Sequence, residues 1–98
     1  MSLHAKQIVI RAEIFKEGRQ YVALCPELTV SSFGSSVADA RRSLQEAVSL
    51  FLEECARLGS LTQVLEEAGF LHTRTGGAQW LPPQPIEIEP LAVPLKHG

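Results

Sequence analysis

The chain is short of most features that would place it among metalloproteins, membrane spans or secreted scaffolds. Its two cysteines, Cys25 and Cys55, stand far apart and form no CxxC pair, so neither a zinc ribbon nor a redox motif is present. No apolar run reaches the roughly 18 residues that cross a bilayer. The opening residues, Met1-Ser2-Leu3-His4-Ala5-Lys6, lack the long apolar core of a secretory signal, and residues 1–7 read as a leader outside the fold. Positive charge is not in excess. Nine Lys and Arg against eleven Asp and Glu leave a net charge of −2, which argues against a protein built to grip phosphate backbones. The three histidines, His4, His72 and His97, are too scattered to suggest a zinc site. Without an export signal the cysteines are expected to be reduced and buried, and the expected location is cytoplasmic with no membrane partner.

What remains is an ordinary globular composition. Hydrophobic residues make up 45% of the 98 positions and charged residues 20%, a balance that excludes the disordered class. One domain spanning residues 1–98 is expected, with one modest core hiding roughly 60–65% of the unfolded surface.

Residues 8–15 alternate strictly: Ile8, Ile10, Ala12 and Ile14 share one face, and Val9, Arg11, Glu13 and Phe15 the other. A period of two predicts a strand. Lys16-Glu17-Gly18-Arg19 predicts a hairpin turn, and residues 21–25 the returning strand, stopped by Pro26, which lacks a ladder donor. Residues 28–33 predict a short third strand closed by Gly34. Ser36 then opens a helix, with Asp39 placed for a near capping box. Val37, Ala40, Leu44, Ala47, Val48, Phe51, Cys55 and Leu58 form an apolar stripe about six turns long. Gly59 is expected as its left-handed stop, and Ser60, with Gln63, as the cap of a second short helix closed by Gly69. Residues 71–85 read as an irregular loop tied down by Trp80. Ile86-Glu87-Ile88-Glu89 predicts a last strand, and Pro90 and Pro94 confine its continuation, residues 91–95, to a sheet edge or a bulge.

The predicted class is α+β: a two-layer β-β-β-α-α-β fold in which one long and one short helix cover one face of a small, mostly antiparallel sheet. The last strand would return parallel to the first by a right-handed crossover. Helices on one face leave the other bare. Val9, Arg11, Phe15, Val22 and Leu24 are therefore the predicted protein interface, and a homodimer or higher oligomer is the expected assembly.

The run from Gly18 through Tyr21-Val22-Ala23-Leu24-Cys25-Pro26-Glu27-Leu28, followed by Gly34-Ser35-Ser36, Asp39-Ala40 and Glu46-Ala47, resembles the HicB-like antitoxin family. The resemblance covers residues 8–69. Trp80, the prolines and the closing segment also look like one branch of that family. It implies a partial ribonuclease-H-like sheet with one long helix, used in bacterial toxin–antitoxin systems to mask a HicA-like toxin, a small basic nuclease that cuts messenger RNA. Two departures stand out. Many relatives carry Leu-Pro-Gly-Cys after the corner, where this chain has the shorter Leu28-Thr29-Val30. Residues 71–98 hold neither a ribbon-helix-helix nor a helix-turn-helix pattern, which argues against direct nucleic-acid binding and leaves a stand-alone homo-oligomeric scaffold as the alternative role.

A ribonuclease-H-like sheet invites a search for clustered carboxylates. Glu13, Glu46, Glu87 and Glu89 are the candidates by position, but Glu13 points away from the helix-covered face and the last two alternate with isoleucines. They read as solvated strand residues. Cys25 beside Pro26 reads as packing, not as a nucleophile. His72-Thr73-Arg74-Thr75-Gly76-Gly77 lacks the strand-loop-helix frame of a phosphate loop. No enzymatic activity, cofactor or metal is expected. Glu53-Glu54 and Glu66-Glu67 read first as the wet side of amphipathic helices, and second as acidic points for a basic partner.

Overall fold

The computed structural model describes residues 7–73 and 79–96. The leader, apart from Gln7, lies outside the described residues, as do His4, His97 and the 74–77 part of the loop. The described chain is α+β, with two three-stranded sheets and two helices in the order β1 (Gln7–Ile8), β2 (Glu13–Glu17), β3 (Gln20–Cys25), β4 (Val30–Gly34), α1 (Val37–Arg57), α2 (Leu61–Glu67), β5 (Leu71–Thr73), β6 (Gln79–Leu81).

One sheet is an antiparallel meander, β2-β3-β4. Its register sets Ile14 opposite Ala23 and Ala23 opposite Ser32, so these three share one face, with Cys25 and Val30 two positions along. Ala23 and Cys25 are fully buried on that face. They join Leu28, Ala40, Leu44, Val48, Leu65 and Phe70 in one cluster, against which Ile8, Ile10, Ile14 and Trp80 pack. Burying a leucine of this kind contributes about 2 kcal/mol before cavity effects are added. This is the core.

α1 forms where the stripe predicts. Ser36 is extended (φ −150°, ψ 168°), and its Oγ accepts from the Asp39 amide at 3.0 Å. Asp39 in turn accepts from the Ser35 amide at 2.9 Å and holds Arg42. These contacts, the Ser35 amide first and then Arg42, hold the Asp39 carboxyl below the usual carboxylate range. The strand-to-helix corner is tight. A Cβ on Gly34 would lie 2.6 Å from the Ala40 backbone nitrogen and 2.8 Å from the Asp39 carbonyl carbon, so only glycine fits against the first helical turn.

Both helices end in the same way. Gly59 (φ 76°) and Gly69 (φ 92°) take the left-handed conformation. The next residue's amide reaches back in each case, Ser60 to the Cys55 carbonyl at 2.9 Å and Phe70 to the Leu65 carbonyl at 3.0 Å. These are Schellman closures, and the second buries Phe70 together with Leu65.

Several expectations need correction. The segment 8–15 is not one strand: Gln7–Ile8 pairs with β6, and the chain then crosses unpaired residues to join the meander at Glu13. The strand parallel to β1 is Gln79–Leu81, not residues 86–89. Gln7 lies opposite Gln79 and Ile8 opposite Trp80, while β5 pairs antiparallel to β6, giving the order β1-β6-β5. The expected loop at 71–85 therefore carries two short strands, steadied by the His72 ring stacked on Trp80 at 4.6 Å. The order is accordingly β-β-β-β-α-α-β-β. Ser60 does not cap α2 through its side chain; its hydroxyl donates back to the Cys55 carbonyl at 3.4 Å, because the Schellman turn has already turned it toward α1.

Residues 86–89 form no strand. Ile86 and Ile88 are fully or almost fully exposed, as are most of Leu91, Val93 and Leu95. Pro90 and Pro94 remove donors at the spacing a ladder needs, and no described strand pairs with the isoleucines.

Candidate protein interface

The alternation that buries Ala23 and Cys25 sends their neighbours outward. Phe15 lies opposite Val22, and Val22 opposite Phe33, so the three form one row across the meander on the face turned away from α1. Glu13, Leu24 and Ser31 make the adjoining row. No described helix covers this side: Phe15 is 51% exposed and Phe33 58%. Two half-bare phenylalanines flanking a valine are an aromatic ridge of the kind that monomer surfaces rarely carry without a use.

Phe15 and Val22 of the predicted interface are thus neighbours in one row, and Leu24 lies beside them. Val9 is 38% exposed at the point where the chain leaves β1, its amide donating to the Trp80 carbonyl at 2.9 Å. Arg11 is committed elsewhere. Its guanidinium meets Glu27 at 2.6 Å, and the Glu27 side chain is only 7% exposed. Glu27 Oε1 and Arg11 Nε are buried without a protein partner, and removing the half-exposed Arg11 would strand the buried Glu27 carboxylate. Arg11 fastens the Cys25-Pro26-Glu27-Leu28 corner to the residues linking the two sheets. In that corner Thr29 adopts φ 57°, unusual for a β-branched residue, and its amide donates to the Pro26 carbonyl at 3.3 Å.

Sequence reasoning misses Phe33 because the third strand carries no clear alternation of its own. The usable signal lies next door: Gly34 must face the helix, which obliges Phe33 to face away.

The candidate chemistry is not assembled. Among the described residues no three His, Cys, Asp or Glu side chains lie close enough together to hold a metal ion, so Glu13, Glu46, Glu87 and Glu89 do not converge. Cys25 and Cys55 are free and buried. Burial pushes the Cys25 thiol up from its ordinary value, and the nearby Glu27 charge adds to this, outweighing amide hydrogen bonds from Leu28 and Glu27. A buried thiol raised in this way is disfavoured as a thiolate. A groove of about 380 Å³ runs between β1 and α1, lined by Ile8, Ile10, Gln45 and Val48 among others, with no ionisable side chain among its described lining residues. Glu53, Glu54, Glu66 and Glu67 are exposed, Glu54 paired with Arg57. No described helix is long and apolar enough to cross a membrane.

No protein-family model, curated protein or solved structure matches this chain. The likeness to HicB-like antitoxins rests on the motif residues alone.

Proposed function

We propose that this chain is a HicB-like antitoxin, or a protein-binding domain derived from one, that works in the cytoplasm by masking a small mRNA-cleaving toxin through direct contact. The observation that carries a binding role is the bare Phe15–Val22–Phe33 row on a domain whose described carboxylates and thiols are not arranged for chemistry. The hairpin-corner-helix motif supplies the choice of family. The open sheet face serves self-association in this reading. The exposed acidic ends of α1 and α2, with Glu53, Glu66 and Glu67, face the basic nuclease and speed its capture.

Co-expression with a short basic nuclease encoded by the neighbouring gene tests the proposal. Copurification and restored growth are expected; a nuclease that neither copurifies nor loses toxicity refutes it. A second reading, a stand-alone homo-oligomeric scaffold with no toxin partner, is favoured by the exposed segment after β6. That segment offers self-association a further surface and contains no helix among its described residues.

A further inference from the structure

The chain exposes a second apolar surface besides the open sheet face. After β6, Pro82 is buried, and the Pro83 ring lies 3.4 Å from where a Cβ on Gly69 would stand. Beyond that anchor, residues 85–96 run as an extended arm with no helix or strand. Ile86, Ile88, Leu91, Val93 and Leu95 on it are each at least three-quarters exposed. The molecule is elongated, 61 Å long against 32 and 27 Å, with a radius of gyration of 16.5 Å. A compact chain of this length would have about 13 Å.

We propose that the arm of one copy docks across the Phe15–Val22–Phe33 face of a second copy, and that the exchange is reciprocal. Four features of the chain select this occupant. The arm leaves from the helix side, because Gly69 closes α2 and α2 packs into the core through Leu65, whereas the open face lies on the opposite side of the meander. Its own arm would have to wrap round a sheet edge to reach it; a neighbour's need not. At roughly 3.3 Å per residue the arm reaches about 35–40 Å, enough to cross three strands spaced about 4.8 Å apart with length to spare. Pro85, Pro90 and Pro94 hold it extended beforehand and prevent it from forming a continuous ladder, so little freedom is lost on docking and open-ended stacking is discouraged. Two-fold reciprocity counts each arm-to-face contact twice, which brings a narrow ridge and a slender arm toward the roughly 800 Å² per partner of an ordinary interface.

The inference rests on reading the open face as an interface, and its test is independent of any toxin. Sedimentation equilibrium of the full chain at low micromolar concentration should show a dimer. A chain ending at residue 85, an Ile88→Glu/Val93→Glu arm variant and a Phe33→Glu face variant should each associate at least about tenfold more weakly, the effect of losing one buried anchor. All should keep the parent far-UV dichroism, since none of these residues belongs to the core. Mixing the arm-deleted chain with Phe33→Glu should restore a mixed dimer, because an intact arm then meets an intact face once. A monomeric full chain, an arm-deleted chain that still dimerises, or a mixture that fails to complement overturns the proposal. A monomeric chain that nonetheless masks the neighbouring nuclease would overturn the exchange and leave the antitoxin reading standing. A dimer that ignores the nuclease would do the reverse.

Discussion

The two faces of the meander are built from the same three strands and have opposite fates. On one, Ala23 and Cys25 have no exposed surface and lie against Ala40, Leu44 and Val48. On the other, Phe15 and Phe33 keep more than half of theirs. The two fully buried strand residues are small, and two phenylalanines stand on the wetter side. Small residues are needed where α1 approaches closely, and the phenylalanines stand where the described chain supplies nothing to cover them. Ile14, Tyr21 and Val30 pack from the same side against the core, whereas Glu13, Glu17 and Gln20 share the open side with the phenylalanines, so register decides which side becomes core.

Substitutions should separate the faces cleanly. The largest effect is expected on the dry side: Leu44→Ala removes a side chain that is 1% exposed and leaves a cavity, costing about 3 kcal/mol by chemical denaturation. Gly34→Ala forces a methyl group onto the Asp39–Ala40 backbone and should cost about 2 kcal/mol, with the loss concentrated at the start of α1 in hydrogen exchange. Ser36→Ala removes the cap that accepts from the Asp39 amide and should cost about 1 kcal/mol.

The same corner predicts a pH dependence. Asp39 has a folded pKa below its unfolded value of 3.8, so its contribution is fully present above that value and is lost as pH falls through the folded one. A denaturation series below about pH 4 should therefore lose less stability in Asp39→Asn than in the parent. The smallest effect belongs to the wet side. Phe33→Ser, measured at a concentration where the chain is monomeric, should change folding stability by no more than about 0.5 kcal/mol. A loss as large as that of Leu44→Ala would mean that Phe33 is core and the contrast between the faces false.

Much of this is legible in the chain and some is not, for identifiable reasons. The α1 stripe and both glycine stops can be read because local hydrogen bonding and a single apolar period agree there. The meander turn is readable for the same reason. The first strand reads as continuous because alternation reports faces, not partners: residues 8–15 keep their period while the chain passes from one sheet to the other. Residues 86–89 show the same alternation and yet join no described sheet, whereas the short β5 and β6 hold too few residues to display any period. Of the open sheet face, the outward placing of Phe15, Val22 and Leu24 follows from parity, but Arg11 cannot be seen as the partner of Glu27, a contact between distant residues that no local pattern encodes.

Because Ile8 pairs with Trp80, the second sheet closes a loop over about three-quarters of the 98 residues, whereas the meander and α1 are assembled from consecutive pieces. Loop-closure entropy opposes such a contact until everything between its ends is already in place. Formation of the β1–β6 pair is thus the latch that fastens last and opens first. Its amides should exchange with solvent ahead of those in β3.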